Sequence, residues 1–357
     1  MKTLIYCCTV YQLFNAVNIR LNLLKEDSVD LLLADYLPDA ELLMERAKKS
    51  GVFDNVYLTR SFSVARQQYP HTRKTVYAYR IFPKQILKQT GFIPEARYDR
   101  FYFATFDDYI SFLFLLLHGR NKNLECACFE DGGTTYMQTD QSVNGVEQRL
   151  YRWLRILPLG MVKVPVLVYE PELMTFDCGA PVRAIPKIRA EDTALRTAIN
   201  TVFGFGSVPE IDGDGIFFEE SFLADGLKNN DEELIRLCSE LLGGRMLLKS
   251  HPRNPYNRFE GSDIRLLRSN IPWEVFCLNA DFDGKILLTV NSNAAISPHI
   301  LFENAPKTVL LYHLLIGQSN LLGKPEYEEY YRRLERIYQG EIVAPESAQA
   351  LKEELSK

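Results

Sequence analysis

An acidic pair followed by two glycines, Glu130-Asp131-Gly132-Gly133, comes directly after the apolar segment ECACF. A carboxylate in this place could act as a general base and remove the proton of a hydroxyl group. Gly132 and Gly133 would let the backbone turn sharply and come close to a ligand. The motif is also compatible with a polar turn in which Asp131 caps the element that follows.

A histidine lies among cationic residues in the second half of the chain, in the motif Lys249-Ser250-His251-Pro252-Arg253. Its imidazole could donate a hydrogen bond to a phosphate oxygen or, when protonated, neutralise a leaving phosphate. Arg253 and Lys249 add positive charge suited to the same group, and Pro252 favours an extended backbone at His251. The alternative is a histidine that makes only a structural hydrogen bond.

Small polar residues follow two further apolar segments. Asn291, Ser292 and Asn293 come after KILLTV, where a predicted strand passes into a helix. Backbone N–H groups at such a helix start are free to bind an anion, and the Ser292 hydroxyl could bind a phosphate directly. Thr9 and Gln12 follow the first apolar segment in the same way. For Ser292 and Thr9 the alternative is a plain helix N-cap.

Apolar segments of strand length alternate with segments of helical periodicity, which predicts βαβ units and a mostly parallel sheet. The predicted strands are 3–9, 29–34, 55–58, 100–104, 125–130, 215–219, 245–249, 285–290 and 308–312. The predicted helices are 11–24, 40–49, 190–203, 231–242 and 325–338, the second with Asp39 as its N-cap and Gly51 after its end. All four polar motifs therefore follow predicted strands.

A proline-rich stretch from Pro158 to Pro186 separates two such series. We therefore expect an α/β fold class with two Rossmann-like, doubly wound domains, at 1–185 and 186–322, that face a cleft. The segment 323–357 contains the last helix and is expected to return to the first domain. Ligands of such domains bind beyond the carboxyl ends of the strands. Each domain carries two of the four motifs at such a place.

Composition excludes several classes of function. The 357 residues carry a net charge of −5, which disfavours a protein that binds duplex nucleic acid. Seven cysteines include no CxxC pair, so neither a zinc ribbon nor a redox motif is supported. The longest central apolar run, 110–117, is far shorter than the roughly 20 residues that span a bilayer. With no signal peptide in 1–10, a cytoplasmic protein is expected.

The order of the motifs resembles that of bacterial two-Rossmann, metal-independent sialyltransferases. These are the lipooligosaccharide sialyltransferases (glycosyltransferase family 52) and the capsular polysialyltransferases (family 38). The families share an acidic-acidic-Gly motif, an His-Pro motif and a later serine motif, here Glu130-Asp131-Gly132, His251-Pro252 and Ser292. The opening TLIYCCTVYQLFNA is similar to the start of the families, so the resemblance extends from Thr9 to about Pro298.

This resemblance implies a GT-B-type glycosyltransferase that moves sialic acid from CMP-sialic acid to a hydroxyl of a cell-surface glycan with inversion. Neither a cofactor nor a metal is implied. The domain at 1–185 would bind the acceptor and the domain at 186–322 the nucleotide sugar. A homodimer is compatible with the families.

The resemblance also implies roles for single residues. Glu130 or Asp131 would deprotonate the acceptor, while His251 would bind or protonate the phosphate of the departing CMP and Ser292 would hold it. Resemblance to family 52 implies an alternative position for the base, at the start of the second domain. In this sequence that position makes Asp225 a rival to Glu130 and Asp131. Lys249, Pro252, Arg253, Asn291 and Asn293 complete the expected donor site, and Thr9, Gln12, Gly132 and Gly133 the expected first-domain wall.

Other functions remain open at this point. The enzyme could use a UDP- or GDP-sugar, or the protein could bind a sugar nucleotide without catalysis. Two Asp-x-Asp pairs, at 212–214 and 281–283, match the metal-binding pattern of many glycosyltransferases but precede strands, the wrong end for a cleft. No Gly-x-Gly-x-x-Gly follows the first strand, which disfavours a nucleotide-cofactor oxidoreductase.

A basic segment with tryptophan and leucine occupies 147–159. It could form an amphipathic helix on an anionic membrane surface, which would make the protein peripheral at the inner face of the membrane. The alternative is a helix that packs on the sheet with its arginines in water.

Overall fold

The computed structural model describes residues 1–68, 83–137, 149, 157, 159–207, 210–319 and 322–356. The chain divides into two compact units. The first comprises 1–171, 176–186 and 191–205, and the second 172–175, 187–190 and 206–357. The basic segment predicted at 147–159 lies outside the described residues except for Arg149, Leu157 and Leu159.

The first unit contains a parallel sheet of seven strands in the order β3-β2-β1-β4-β5-β6-β7. Its strands are β1 Lys2–Cys7, β2 Ser28–Ala34, β3 Asn55–Thr59, β4 Arg100–Phe103, β5 Glu125–Phe129, β6 Val166–Val168 and β7 Val182–Ala184. The strand order changes direction between β1 and β4, and ligands of open parallel sheets bind beyond the carboxyl ends of the strands at such a point.

Helices connect these strands. They are α1 Val10–Asn22, α2 Ala40–Ser50, α3 Ser61–Gln68, α4 Pro83–Gln89, α5 Asp108–Arg120, α6 Thr134–Met137 and α7 Thr193–Phe203. Gly51 ends α2 with a left-handed φ of 67°, as predicted. Asp39 is the N-cap residue of α2, as predicted, but it takes a left-handed conformation with φ 50° and its side chain makes no capping hydrogen bond.

The central apolar run is part of the buried helix α5. Phe112, Leu113 and Phe114 are fully or almost fully buried in the core together with Phe101 and Phe103 of β4. An apolar run of this length is typical of a helix within a protein core. Within the described ranges, no helix is long and apolar enough to cross a membrane.

The predicted helix at 190–203 belongs to the first unit, although we expected it to lead into the second domain. It begins at Thr193 and packs on the first unit through Phe203, whose ring lies 6.5 Å from that of Phe14. Arg46 donates a hydrogen bond to the Phe203 carbonyl at 3.1 Å. These contacts explain why the first unit includes residues beyond the boundary predicted at 185.

The second unit contains a parallel sheet of six strands in the order β10-β9-β8-β11-β12-β13. Its strands are β8 Gly215–Phe218, β9 Met246–Lys249, β10 Arg265–Leu266, β11 Ile286–Thr289, β12 Lys307–Leu310 and β13 Ile342–Val343. Its helices are α8 Asp231–Leu241, α9 Trp273–Asn279, α10 Asn293–Leu301, α11 Pro325–Ile337 and α12 Ala348–Leu355. The strand order changes direction between β8 and β11.

The sequence predicted the main strands of both sheets to within two residues at their ends. It missed the short strands β6, β7, β10 and β13, which are two or three residues long. The segment from 323 onward groups with the second unit. Its expected return to the first domain stays a prediction.

A buried ion-pair cluster ties the end of β8 to α8. The Arg258 guanidinium lies 2.7 Å from a Glu219 carboxylate oxygen and 2.5 Å from one of Asp231. The side chains of Glu219 and Asp231 are 2% and 6% exposed, and the two carboxylates raise the pKa of Arg258 despite its burial. The cluster therefore fixes the backbone at the carboxyl end of β8.

We predict that Arg258→Ala lowers the free energy of unfolding by about 3–5 kcal/mol, because it leaves two buried carboxylates unpaired. The matched control is Arg245→Ala, whose pair with Asp214 is 56% and 45% exposed. That change should cost less than about 1 kcal/mol. Urea unfolding of the two variants measures the difference, and equal losses would contradict the assigned role of the cluster.

Candidate functional site

The acidic motif lies at the carboxyl edge of the first sheet, as predicted. Glu130 and Asp131 follow β5 directly, and Thr9 follows β1 and caps α1 by accepting a hydrogen bond from the Gln12 N–H at 3.2 Å. The Gln12 side chain accepts a hydrogen bond from the Cys8 N–H at 2.7 Å. The Thr9 hydroxyl also lies 3.5 Å from an Asp131 oxygen, so β1 and β5 bring their polar residues together.

Glu130 is fully buried, and its carboxylate accepts hydrogen bonds from three groups. The Tyr11 hydroxyl donates at 2.5 Å, the Tyr169 N–H donates at 3.1 Å, and the Tyr136 hydroxyl donates to the same oxygen as Tyr169. Burial raises the pKa of Glu130 to about 7, against the opposing effect of these donors. A carboxylate held in this way positions its neighbours and has no open face for a substrate.

Asp131 is the partly exposed member of the acidic pair. Its backbone N–H donates to the Thr135 hydroxyl at 2.9 Å, and Gly132 turns the chain with a φ of 82°. Burial raises the pKa of the Asp131 carboxyl, and the nearby polar side chains of Gln12 and Thr9 oppose this effect. A partly exposed carboxyl with a raised pKa is suited to proton transfer.

Sequence reasoning missed a third carboxyl at this edge, Asp107. It follows β4, next to the point where the strand order changes, and caps α5 by accepting the Ile110 N–H at 2.7 Å. Burial raises its pKa to about 6. An Asp-Asp pair before an apolar helical run is a sequence signal for an N-cap, and this signal could have found it.

His251 lies at the carboxyl edge of the second sheet, two residues after β9. Its Nδ1 accepts the Arg253 N–H at 3.2 Å, so the neutral ring carries its proton on Nε2. The backbone N–H of His251 donates to a Glu219 carboxylate oxygen at 3.4 Å. This hydrogen bond links the histidine to the buried ion-pair cluster. Burial, and then the Arg253 charge, lower the pKa of His251. A neutral imidazole with a free Nε2–H is a hydrogen-bond donor.

Asp225 is held by the arginine of the same motif. Arg253 donates to both Asp225 oxygens at 3.1 and 3.2 Å and to the Ser221 hydroxyl at 2.6 Å. The Ser221 hydroxyl in turn donates to Asp225 at 2.7 Å. To act as a base, Asp225 would have to compete with this charged, two-pronged interaction. The same contacts draw the positive charge of Arg253 toward Asp225.

Lys249 points into the packing around α9. Its Nζ lies 5.9 Å from the centre of the Trp273 ring. The charge of the partly buried Glu274 acts on the Lys249 ammonium group as well. Burial lowers the pKa of Lys249. Its expected contribution to a phosphate site stays a prediction.

Ser292 caps α10, and its hydroxyl lies 3.4 Å from the Ala294 N–H. Its own N–H donates to the Thr289 hydroxyl at 2.9 Å. The neighbouring Asn293 is exposed, whereas Asn291 is 3% exposed. The Ala295 N–H donates to the Ser292 carbonyl at 3.2 Å. Ser292 therefore has the N-cap role that was the alternative for it, and the expected anion binding at this helix start stays a prediction.

Two buried side chains at this edge have unsatisfied polar atoms. The Oδ1 and Nδ2 atoms of Asn291 and the Oγ of Ser250 have no hydrogen-bond partner among the described residues. Such atoms cost about 1–3 kcal/mol each when nothing pairs with them. They follow β11 and β9, on either side of β8. An anionic or polar ligand at this edge would supply their partners.

A cavity of about 490 Å³ in the second unit lies between the turn Tyr312–Leu314 and α11. Tyr312 and Tyr331 line it with stacked rings whose centres are 4.8 Å apart. The Tyr331 hydroxyl donates to the Asn291 carbonyl at 3.4 Å, so the cavity borders the loop after β11.

A larger cavity of about 700 Å³ is lined by Ile286 and Lys307, at the amino ends of β11 and β12. It therefore lies at the opposite edge of this sheet from the motifs.

The first Asp-x-Asp pair is engaged by arginines. Asp212 pairs with Arg265 at 2.7 Å and Asp214 with Arg245 at 2.8 Å. In the part of the chain that the structure describes, no group of three or more His, Cys, Asp or Glu side chains is arranged to hold a metal ion. The expected independence from metal stays a prediction.

No protein-family model and no curated protein matches the sequence. Among solved structures, UDP-GlcNAc 2-epimerase from Methanocaldococcus jannaschii matches with a TM-score of 0.53 and 9% identity, over 100% of this chain and 92% of that one. The glycotransferase of kitacinnamycin matches with a TM-score of 0.50 and 13% identity, over 99% and 89%. The chain has a GT-B-type fold. At these identities the likeness extends to the fold alone, which confirms the predicted fold class of two Rossmann-like domains.

The raised pKa of Glu130 predicts a pH-dependent stability. The pKa in the folded state lies above its ordinary value of 4.5. The free energy of unfolding should therefore fall as the pH rises from 4.5 through 7. Between pH 5.5 and 7 this one group should account for a fall of about 2 kcal/mol. Glu130→Gln should remove that part of the slope in urea unfolding curves.

The matched control is Glu125→Gln, at the exposed start of the same strand, where the side chain is 61% exposed. This variant should keep the pH slope of the parent protein. An unchanged slope in Glu130→Gln would contradict the account of Glu130 as a buried, partly protonated carboxyl.

Proposed function

We propose that this protein is a glycosyltransferase that transfers a sugar from a nucleotide donor to a hydroxyl group. The observation that carries the proposal is the carboxyl edge of the second sheet. There the unsatisfied polar atoms of Ser250 and Asn291 lie among strand ends that also carry His251 and Ser292. In a GT-B-type fold, a phosphate or a sugar at this edge would satisfy them.

The donor phosphate would be bound by neutral hydrogen-bond donors and a helix dipole. His251 offers its Nε2–H, Ser292 its hydroxyl, and α10 the N–H groups of its first turn. Donors aimed at the leaving phosphate stabilise the charge that develops there. Arg253 is bound to Asp225, and Lys249 lies over the Trp273 ring. These two cations would therefore act on the phosphate mainly through their positive electrostatic potential.

The first domain would supply the base. Asp131 is favoured over Glu130 because it is partly exposed, whereas three hydrogen bonds and full burial enclose the carboxylate of Glu130. Asp225 is disfavoured because Arg253 binds both of its oxygens. Glu130 would instead support Asp131 by holding the turn that carries it.

A UDP-sugar is the first donor to consider. The epimerase that shares the fold is named for UDP-GlcNAc. The cavity is lined by the partly exposed ring of Tyr312, on which a nucleobase could stack. Tyr331 is 3% exposed and already stacks on Tyr312.

CMP-sialic acid is the second candidate donor. It is favoured by the order of the acidic, His-Pro and serine motifs and by the small number of free cations near His251. One phosphate needs less positive charge than a diphosphate does. The acceptor would then be a cell-surface glycan.

The test is a thermal-shift screen of the purified protein against UDP-GlcNAc, other UDP- and GDP-sugars, and CMP-sialic acid. A ligand at 100 times its dissociation constant adds about 2.7 kcal/mol of stability, enough to see in the melting temperature. We expect one donor class to stabilise the protein, and His251→Gln to reduce that shift. EDTA should leave the shift unchanged.

The pattern of shifts decides between the donors. Stabilisation by UDP-sugars alone selects the first candidate, and stabilisation by CMP-sialic acid alone selects the second. A stabilising donor that is never transferred to any acceptor would indicate a binding protein without catalysis. A flat response to every nucleotide sugar would contradict the proposed function.

A further inference from the structure

A partly buried carboxyl, Glu220, lies where the strand order of the second sheet changes direction. It follows β8 by two residues, and its Oε1 accepts a hydrogen bond from the Asn291 N–H at 3.0 Å. The Thr289 hydroxyl lies 3.1 Å from the same oxygen and shares its single proton between Glu220 and the Phe218 carbonyl, which is 3.0 Å away. Thr289 ends β11, and Asn291 follows it. Glu220 therefore links the ends of the two strands that border this point.

The same carboxyl acts on the candidate phosphate site through Thr289. The Thr289 hydroxyl accepts the Ser292 N–H at 2.9 Å, and Ser292 is the N-cap of α10. Glu220, Thr289 and Ser292 thus form one hydrogen-bonded chain. The position of Glu220 fixes the backbone that presents the Ser292 hydroxyl and the start of the helix.

The negative charge of Glu220 is not compensated. No cation lies within ion-pair distance of it in the described residues, whereas the nearby Glu219 and Asp231 share Arg258. The negative charges of Glu219 and Asp231 disfavour ionisation of Glu220. In turn, burial and then the charge of Glu220 raise the pKa of the Tyr331 hydroxyl on α11. Burial, then these charges, raise the pKa of Glu220 to about 7 against two hydrogen bonds.

We propose that Glu220 takes up a proton when the nucleotide sugar binds, so that the donor complex contains the neutral carboxylic acid. The proposal rests on the proposed function, in which α10 and Ser292 hold the donor phosphate. A phosphate at the start of α10 would add a negative charge next to a partly buried carboxylate. One proton from solvent, added to a Glu220 carboxylate oxygen, removes that repulsion. Glu220 is in this account a positioning residue, because it acts through Thr289 and Ser292.

Isothermal titration calorimetry measures the proton directly. UDP-GlcNAc and CMP-sialic acid are suitable probes, because their phosphates do not change charge near pH 7. Titrations at pH 7 in two buffers of different ionisation enthalpy give the number of protons bound. With a free pKa of about 7, we expect Glu220 to contribute roughly half a proton per donor. Glu220→Gln should lose this contribution.

A matched control is Glu125→Gln, the same change at an exposed carboxyl of the first unit. It should keep the proton uptake of the parent protein. His251→Gln separates any proton taken up by the histidine from the contribution of Glu220.

The pH dependence of affinity gives a second readout. The dissociation constant of the parent protein should rise toward tenfold for each pH unit above about 7, and that of Glu220→Gln should rise less.

Tight binding with no buffer-dependent heat and no pH dependence would overturn the proposal while leaving the proposed function intact. So would the same uptake in Glu220→Gln as in the parent protein. Failure of every nucleotide sugar to bind would overturn both.

Discussion

Burial of carboxyl groups at the carboxyl edges of two parallel sheets is the constraint on which the rest of this structure depends. An ionised carboxylate in a dry environment must be paired, hydrogen-bonded or protonated. The chain uses all three solutions. Arg258 pairs Glu219 and Asp231, three donors hold Glu130, and Glu220 has a pKa raised to about 7.

The solutions differ because the neighbouring elements differ. Glu219 has α8 and Arg258 next to it, so it is a fixed anion that anchors the His251 backbone. Glu220, one residue later, lies next to the hydroxyl of Thr289, which ends β11, and accepts the N–H of Asn291, which follows that strand. One carboxyl therefore stabilises the fold, and the next is free to change its protonation state.

Much of the fold could be predicted from the sequence. Buried strands such as 29–34 are continuous apolar runs, and their alternation with helices indicates a parallel sheet. The short strands β6, β7, β10 and β13 could not be predicted, because a strand of two or three residues is too short to show a hydrophobic periodicity. The boundary at 185 missed α7, whose place depends on the packing of Phe203 against Phe14. Packing between distant segments leaves no local pattern.

The features of the candidate site also divide into those that the sequence predicts and those that depend on distant contacts. The positions of Asp131, His251 and Ser292 after strands follow from the order of apolar and polar segments. The separate environments of Glu130 and Asp131 do not, because the three donors to Glu130 include Tyr169, 39 residues away along the chain. The sequence leaves Asp225 as a rival candidate for the base, and its pairing with Arg253 is visible only in the structure. Glu220 and Asp107 are distinguished only by their surroundings in the fold, which desolvate both carboxyls.

The central claim is that the two sheet edges have separate tasks, with a base on the first and a phosphate site on the second. The most direct measurement compares donor affinity with transfer rate in Asp131→Asn and His251→Gln. We expect Asp131→Asn to bind the donor like the parent protein and to lose about 100-fold or more of the transfer rate. His251→Gln should lose donor affinity as well as rate. Normal transfer by Asp131→Asn, or unchanged donor binding by His251→Gln, would contradict the account.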